Sequence, residues 1–200
     1  MADLWFIRHF RTPWNAEGRI QGRRDIALDD PPGADDMAAL ARNRAALAGR
    51  DFGAIWSSPL MRPRQTAALH GFEAPELLPD LAELAFGAFE GRCWADLEAA
   101  HPGLWRSAPD RLPLGEPFDG FLARVARVIG RARARPGPPV LVFGHGTWAA
   151  AMLCLLEDRD PATMNHAPLM PNGTLLRLSP GRGRQSATSG ALSSSSSGSV

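Results

Sequence analysis

Lysine is absent from this chain of 200 residues, so all 22 of its basic residues are arginine. Against 21 acidic residues they leave a net charge of +1, and they are scattered over helical stretches rather than set with aromatics on one face, which argues against a nucleic-acid partner. Long apolar runs are lacking too. None approaches the roughly 20 residues that a bilayer span requires, and the N-terminus has no basic region, apolar stretch and cleavage site of a secretory signal, so a cytoplasmic protein with no membrane partner is expected. Cysteine is rare: Cys93 and Cys154 lie far apart in no paired spacing, which argues against a disulfide framework or a zinc site and leaves buried free thiols as the expectation. Large apolar residues nearly vanish after Leu178. Residues 179–200 end in a serine run and cannot bury enough surface to offset their ordering entropy, so they are expected to form a flexible Ser/Gly-rich tail.

What is present is 44% hydrophobic content, enough for one compact domain over residues 1–178. Short apolar runs, "LWFI", "AIWSS", "PELLPD", "PVLVFGH" and "GTLLRL", read as strands. Helical patterns separate them. In "DDMAALARNRAALAG" the residues Met37, Leu40, Ala41, Arg44 and Leu47 follow helix spacing, and in "RPRQTAALHG" Pro63 is tolerable only in a first turn. "CWADLEAAHP" and "TWAAAMLCLLE" read as further helices, and "FDGFLARVARVIGRARA" places Phe118, Phe121, Leu122, Val125, Val128 and Ile129 on one face with its arginines outside. Strands alternating with helices predict an α/β fold with a mostly parallel central sheet covered on both faces.

Two of the strands end alike. "LWFIRH" and "VLVFGH" each deliver a histidine, His9 and His145, at the carboxyl edge of a buried strand, where open α/β sheets bind ligands. Neighbouring parallel strands would bring those ends within about 5 Å, or about 10 Å across two spacings. A third strand end, "SSPLMRPRQTA", adds Arg62 at the start of a helix, where free N–H groups already favour an anion. One sheet edge thus collects Arg8, His9, Arg62 and His145. Two guanidiniums can grip phosphoryl oxygens in forked geometry, and the chemistry that follows is phosphoryl transfer to histidine.

The segments "FIRHFRTPWNAEGRIQG", "SSPLMRPRQTA", "LAELAFGAFEG" and "VFGHG", in that order, resemble the histidine phosphatase superfamily, and the resemblance extends from Leu4 to Leu178. It implies a phosphoglycerate mutase-like fold, a doubly wound three-layer sandwich, and a single catalytic domain over residues 1–178. It also implies roles: His9 as the nucleophile that becomes phosphohistidine, and Arg8 and Arg62 as the phosphate clamp. His145 would hydrogen-bond the transferring group, and Glu83 would protonate the leaving alcohol and then activate water. Asn15, Gln21 and Gly22 are implied as further phosphate or substrate contacts, and Glu116 as a loop anchor. No cofactor and no metal is implied, and the partner is a small phosphorylated substrate.

Two positions depart from the family's first motif, which usually runs Arg-His-Gly followed by an acid. Phe10 stands in place of the glycine and either reshapes the pocket or packs against the helices; Arg11 stands in place of the acid and either attracts a second anionic group or faces water. The expected function is metal-independent hydrolysis of a phosphate monoester. Phosphoglycerate mutase activity, or phosphate binding by a catalytically impaired protein, are the alternatives.

Overall fold

Every residue of the run Leu4–Arg8, strand β1, is buried, as expected of a parallel strand covered on both faces. The structure, a computed structural model, describes residues 3–166, 170–179 and 182–186. The other strands are β2 (Ala54–Ser57), β3 (Glu76–Leu77), β4 (Val140–Gly144), β5 (Leu175–Ser179) and β6 (Arg182–Ser186), in the sheet order β3-β2-β4-β1-β5-β6. The first four in that order are parallel, and β5 and β6 follow antiparallel. The helices are α1 (Pro13–Ala16), α2 (Ala34–Leu47), α3 (Met61–Leu69), α4 (Trp94–Ala100), α5 (Leu104–Ser107), α6 (Phe118–Arg133) and α7 (Gly146–Leu156).

Alternation along the strands sorts the core into two faces. Phe6, Val140 and Val142 pack with Phe121 and Val125 of α6 and Trp148 and Met152 of α7. Trp5, Ile7, Leu141 and Phe143 pack on the opposite face with Leu47 of α2 and Ala67 of α3. This is the doubly wound three-layer α/β sandwich. Its register sets the site: Arg8 lies opposite Gly144 and Ser57 opposite Phe143, so β1, β2 and β4 end at one level. His9, Ser58 and His145 are the next residues out.

Several expectations need correction. The helical spacing in α2 is real, but of the residues it singles out only Leu40 and Leu47 are buried, and Met37 is exposed. The buried face also carries Asp36 and Asn43, because α2 covers polar backbone at the sheet edge: Asp36 Oδ2 accepts from the Arg11 N–H, and Asn43 Nδ2 donates to the Gly173 carbonyl. On α6 one arginine, Arg124, is buried with the apolar residues. Cys154 is buried as expected, whereas Cys93 is exposed at the start of α4, where its backbone N–H donates to Asp96. Past Leu178 the sheet continues through Ser179 and the edge strand β6, whose pairing uses backbone groups and needs no large side chain. The rest of the expected tail lies outside the described residues. Among the described residues no helix is long and apolar enough to cross a membrane.

Candidate active site

His9 leaves β1 with its backbone N–H on the Gly144 carbonyl and its side chain 3% exposed. Its Nδ1 lies 2.6 Å from the Phe10 carbonyl oxygen. A carbonyl only accepts, so a neutral His9 carries its proton on Nδ1 and keeps a lone pair on Nε2. His145 is fully buried at the N-cap of α7, its ring centre 5.4 Å from that of His9. Its Nε2 lies 2.8 Å from Ser58 Oγ, and its Nδ1 is buried with no hydrogen-bond partner among the described residues.

Two guanidiniums flank the rings. Arg62, in the first turn of α3, donates from Nη1 to the Arg24 carbonyl and from Nη2 to the Gly22 carbonyl, both at 2.8 Å. Arg8 donates from Nη1 to the Met170 carbonyl and lies across the start of α7, where a Cβ on Gly146 would come within 2.9 Å of Arg8 Cζ. Only glycine allows that approach. The Nε atoms of both arginines are buried and, like His145 Nδ1, lack a partner among the described residues. Two unpartnered guanidinium donors beside one cleft are what an oxyanion requires.

Burial pulls Arg8 and Arg62 down to about 10, and the nearby Glu83 carboxylate opposes the shift, so both stay charged at neutral pH. Burial, with Arg62 and Arg8 close by, holds His9 and His145 well below the ordinary imidazole value. These histidines are neutral in the fold and bind protons more readily once unfolded. Their contribution to stability is therefore complete above about pH 6.5 and is lost as pH falls from there toward the depressed folded values, at up to about 1.4 kcal/mol per histidine per pH unit. Urea unfolding is expected to show less stability at pH 5.5 than at pH 7.5 because of this pair. A variant with both histidines changed to glutamine is expected to flatten that slope; an equal slope in wild type and variant would mean that the pair takes up protons within the fold.

Glu83 is buried beside the start of α7. Its Oε1 accepts from the N–H groups of Leu84 and Trp148, and its Oε2 accepts from Thr147 N–H at 3.0 Å. Oε2 carries the single bond of the two and is the oxygen with room to exchange a proton with a ligand. Asn15 completes a capping box with Thr12 through its Oδ1, which leaves its Nδ2 available. Gln21 is buried with Oε1 unpartnered among the described residues, and Gly22 adopts φ 53° with the Glu90 carboxylate packed where a side chain would stand. All of Arg8, His9, Asn15, Gln21, Gly22, Arg62 and Glu83 line one cleft of about 50 Å³, with Arg19, Phe86, Trp94 and Thr147 as further wall; His145 sits behind His9.

Phe10 turns away from this cleft. Its ring is 1% exposed, stacks on His70 at 5.4 Å and packs with Leu28, Ala39 and Leu40 between α2 and α3, so of its two readings the structure carries packing. Arg11 faces water. Glu116 does anchor a loop. It accepts from the Ala85 N–H and from Arg124 and Arg23.

Sequence reasoning passed over three residues here. Arg124 is one: it donates to Glu116 and to the carbonyls of Asp80, Ala82 and Glu83, tying the segment that carries Glu83 to α6. Ser58, which fixes one ring nitrogen of His145, was visible as a polar residue at a strand end. Asn172, whose Nδ2 donates to the His9 carbonyl at 2.9 Å, left no local signal.

The chain is similar to known proteins along most of its length. A family model described as the histidine phosphatase superfamily (branch 1) matches residues 4–190. A metal-independent phosphoserine phosphatase of Arabidopsis thaliana is 30% identical over 157 residues, covering 73% of this chain and 65% of that protein. "Probable phosphoglycerate mutase GpmB" of Cronobacter sakazakii is 31% identical over 167 residues, covering 78% and 74%. A solved structure of the mycobacterial glucosyl-3-phosphoglycerate phosphatase Rv2419c with VO3 superposes with a TM-score of 0.75 at 27% identity, covering 90% of this chain and 93% of that one.

Proposed function

The chain belongs to the histidine phosphatase superfamily, and from that premise we propose that it hydrolyses a small phosphate monoester through a phosphohistidine at His9, without a metal ion. One observation carries the reading: the Nε2 lone pair of His9, left free by the Nδ1 contact with the Phe10 carbonyl, shares a site with two buried unpartnered guanidinium donors, Arg8 Nε and Arg62 Nε. In the first step Nε2 attacks phosphorus, the P–N bond forms and the ester P–O bond breaks. The leaving oxygen takes a proton from Glu83. In the second, water attacks phosphorus as Glu83 takes up its proton, the P–N bond breaks and inorganic phosphate leaves.

Phosphoryl transfer needs positioning and charge stabilisation more than covalent help. The two guanidiniums supply the stabilisation that a metal ion supplies elsewhere, and the name of the Arabidopsis relative supports a metal-free reaction. Small phosphorylated metabolites in the names of the relatives support a small substrate.

The test is to trap the intermediate. Protein mixed with a phosphate-labelled monoester in EDTA and quenched in base is expected to hold label on His9 that acid removes. Label elsewhere, or turnover that EDTA abolishes, would defeat the mechanism. With 3-phosphoglycerate the expected product is inorganic phosphate; isomerised phosphoglycerate in its place would make the enzyme a mutase, and binding without label would make it a phosphate-binding protein.

A further inference from the structure

We propose that Asn172 is the positioning residue of the nucleophile: its side-chain amide fixes the backbone that holds His9 in the Nδ1–H tautomer, and so aims the Nε2 lone pair. The proposal rests on His9 being the nucleophile. A histidine ring reaches the carbonyl of the residue after it only when that peptide is turned back beneath the ring, and nothing local requires this. The fold imposes it by holding both peptide groups that follow His9 at both ends.

The first of these peptides, between His9 and Phe10, has its N–H on Thr66 Oγ1 at 3.1 Å and its carbonyl on Asn172 Nδ2 at 2.9 Å and on the Gly173 N–H at 3.3 Å. In the second, between Phe10 and Arg11, the N–H is on Asp36 Oδ2 at 3.0 Å, and the carbonyl meets His9 Nδ1 at 2.6 Å and Asn172 Nδ2 at 3.4 Å. Asn172 is thus the side chain that touches both carbonyls. It is free for that task, because its own turn is closed by backbone: Thr174 N–H donates to the Pro171 carbonyl and Gly173 takes φ 70° at the corner. Gly173 serves the same end, since a Cβ there would meet the Phe10 ring at 2.8 Å and Ala39 at 2.9 Å. The partner of one ring nitrogen decides which nitrogen carries the proton, so an amide one bond removed from the ring sets the reactivity of the other nitrogen.

The experiment pairs imidazole nitrogen NMR with steady-state kinetics on p-nitrophenyl phosphate for wild type, Asn172→Ala and Asn172→Asp. Alanine cannot reach the carbonyls, and aspartate keeps the shape but turns oxygen toward oxygen. Wild-type His9 is expected as the Nδ1–H tautomer, and both variants as a mixture with Nε2–H, with kcat lowered roughly tenfold to a hundredfold and KM changed less than about threefold. Folding is checked by circular dichroism. Wild-type His9 protonated on Nε2 would overturn the proposal whether or not either variant folds. So would variants that keep the wild-type tautomer, or a loss carried by KM in place of kcat. Label trapped on a residue other than His9 would defeat the nucleophile assignment instead, and the tautomer measurement tells the two failures apart.

Discussion

Replacement of His9 by alanine is expected to lower kcat/KM on a phosphate monoester by about 10⁴-fold or more, the largest effect of any single substitution in the chain. The clamp would survive the change: Arg8 and Arg62 donate to the carbonyls of Met170, Gly22 and Arg24, none of which His9 hydrogen-bonds. Substrate binding is therefore expected to persist while the covalent step disappears, so a competing phosphate ester still protects the variant against unfolding. The direct attack of water that remains has no P–N intermediate and leaves no trapped label. His145→Ala differs in kind. On the proposed mechanism it would remove a contact to the transferring group and keep the nucleophile, so labelling is expected to be slowed and not abolished. A His9→Ala enzyme within about tenfold of wild type would mean that another group attacks phosphorus.

That His9 and His145 could be picked out at all is due to the sheet. Strands buried on both faces read as continuous apolar runs, and polar residues at their ends stand out against them. What could not be read has a common physical origin in contacts between backbone and side chains far apart in sequence. Arg124 looks like any solvated helix arginine until its fork is seen filled by Glu116 and by carbonyls of residues 80–83. Asn172 acts on the backbone of His9 and Phe10, more than 160 positions away. Phe10 is a sharper case. Its identity alone is compatible with either pocket or core, and the choice depends on which way its ring turns, which α2, α3 and Gly173 decide together. The buried face of α2 departs from its hydropathy for a related reason: hydropathy assigns Asp36 and Asn43 to water, but each meets backbone at the sheet edge.

Arg62→Met is expected to cost about 10³-fold in kcat/KM while leaving the unliganded protein as stable as wild type or more so. The two expectations share one cause. Arg62 is 1% exposed, and burial draws its guanidinium down to about 10, so the fold holds a charge it would be easier to do without. Methionine fills similar volume and ends that desolvation. In exchange it leaves the Gly22 and Arg24 carbonyls without their donors, a loss of about 1–3 kcal/mol that offsets part of the gain. Arg62→Lys keeps the charge, but its three N–H donors sit on one nitrogen and lack the planar fork that reaches both carbonyls and an oxyanion at once, so its rate is expected to lie between the two. A second readout separates charge from shape. After burial, Arg62 is the strongest influence holding His9 below the ordinary imidazole value. Without it His9 protonates at higher pH, and since only neutral His9 attacks, the acid limb of the kcat/KM profile is expected to move toward neutrality in Arg62→Met and to stay near the wild-type position in Arg62→Lys. An acid limb that Arg62→Met leaves unmoved would mean that His9 does not govern it, and a rate within tenfold of wild type would mean that Arg62 does not bind the transferring group.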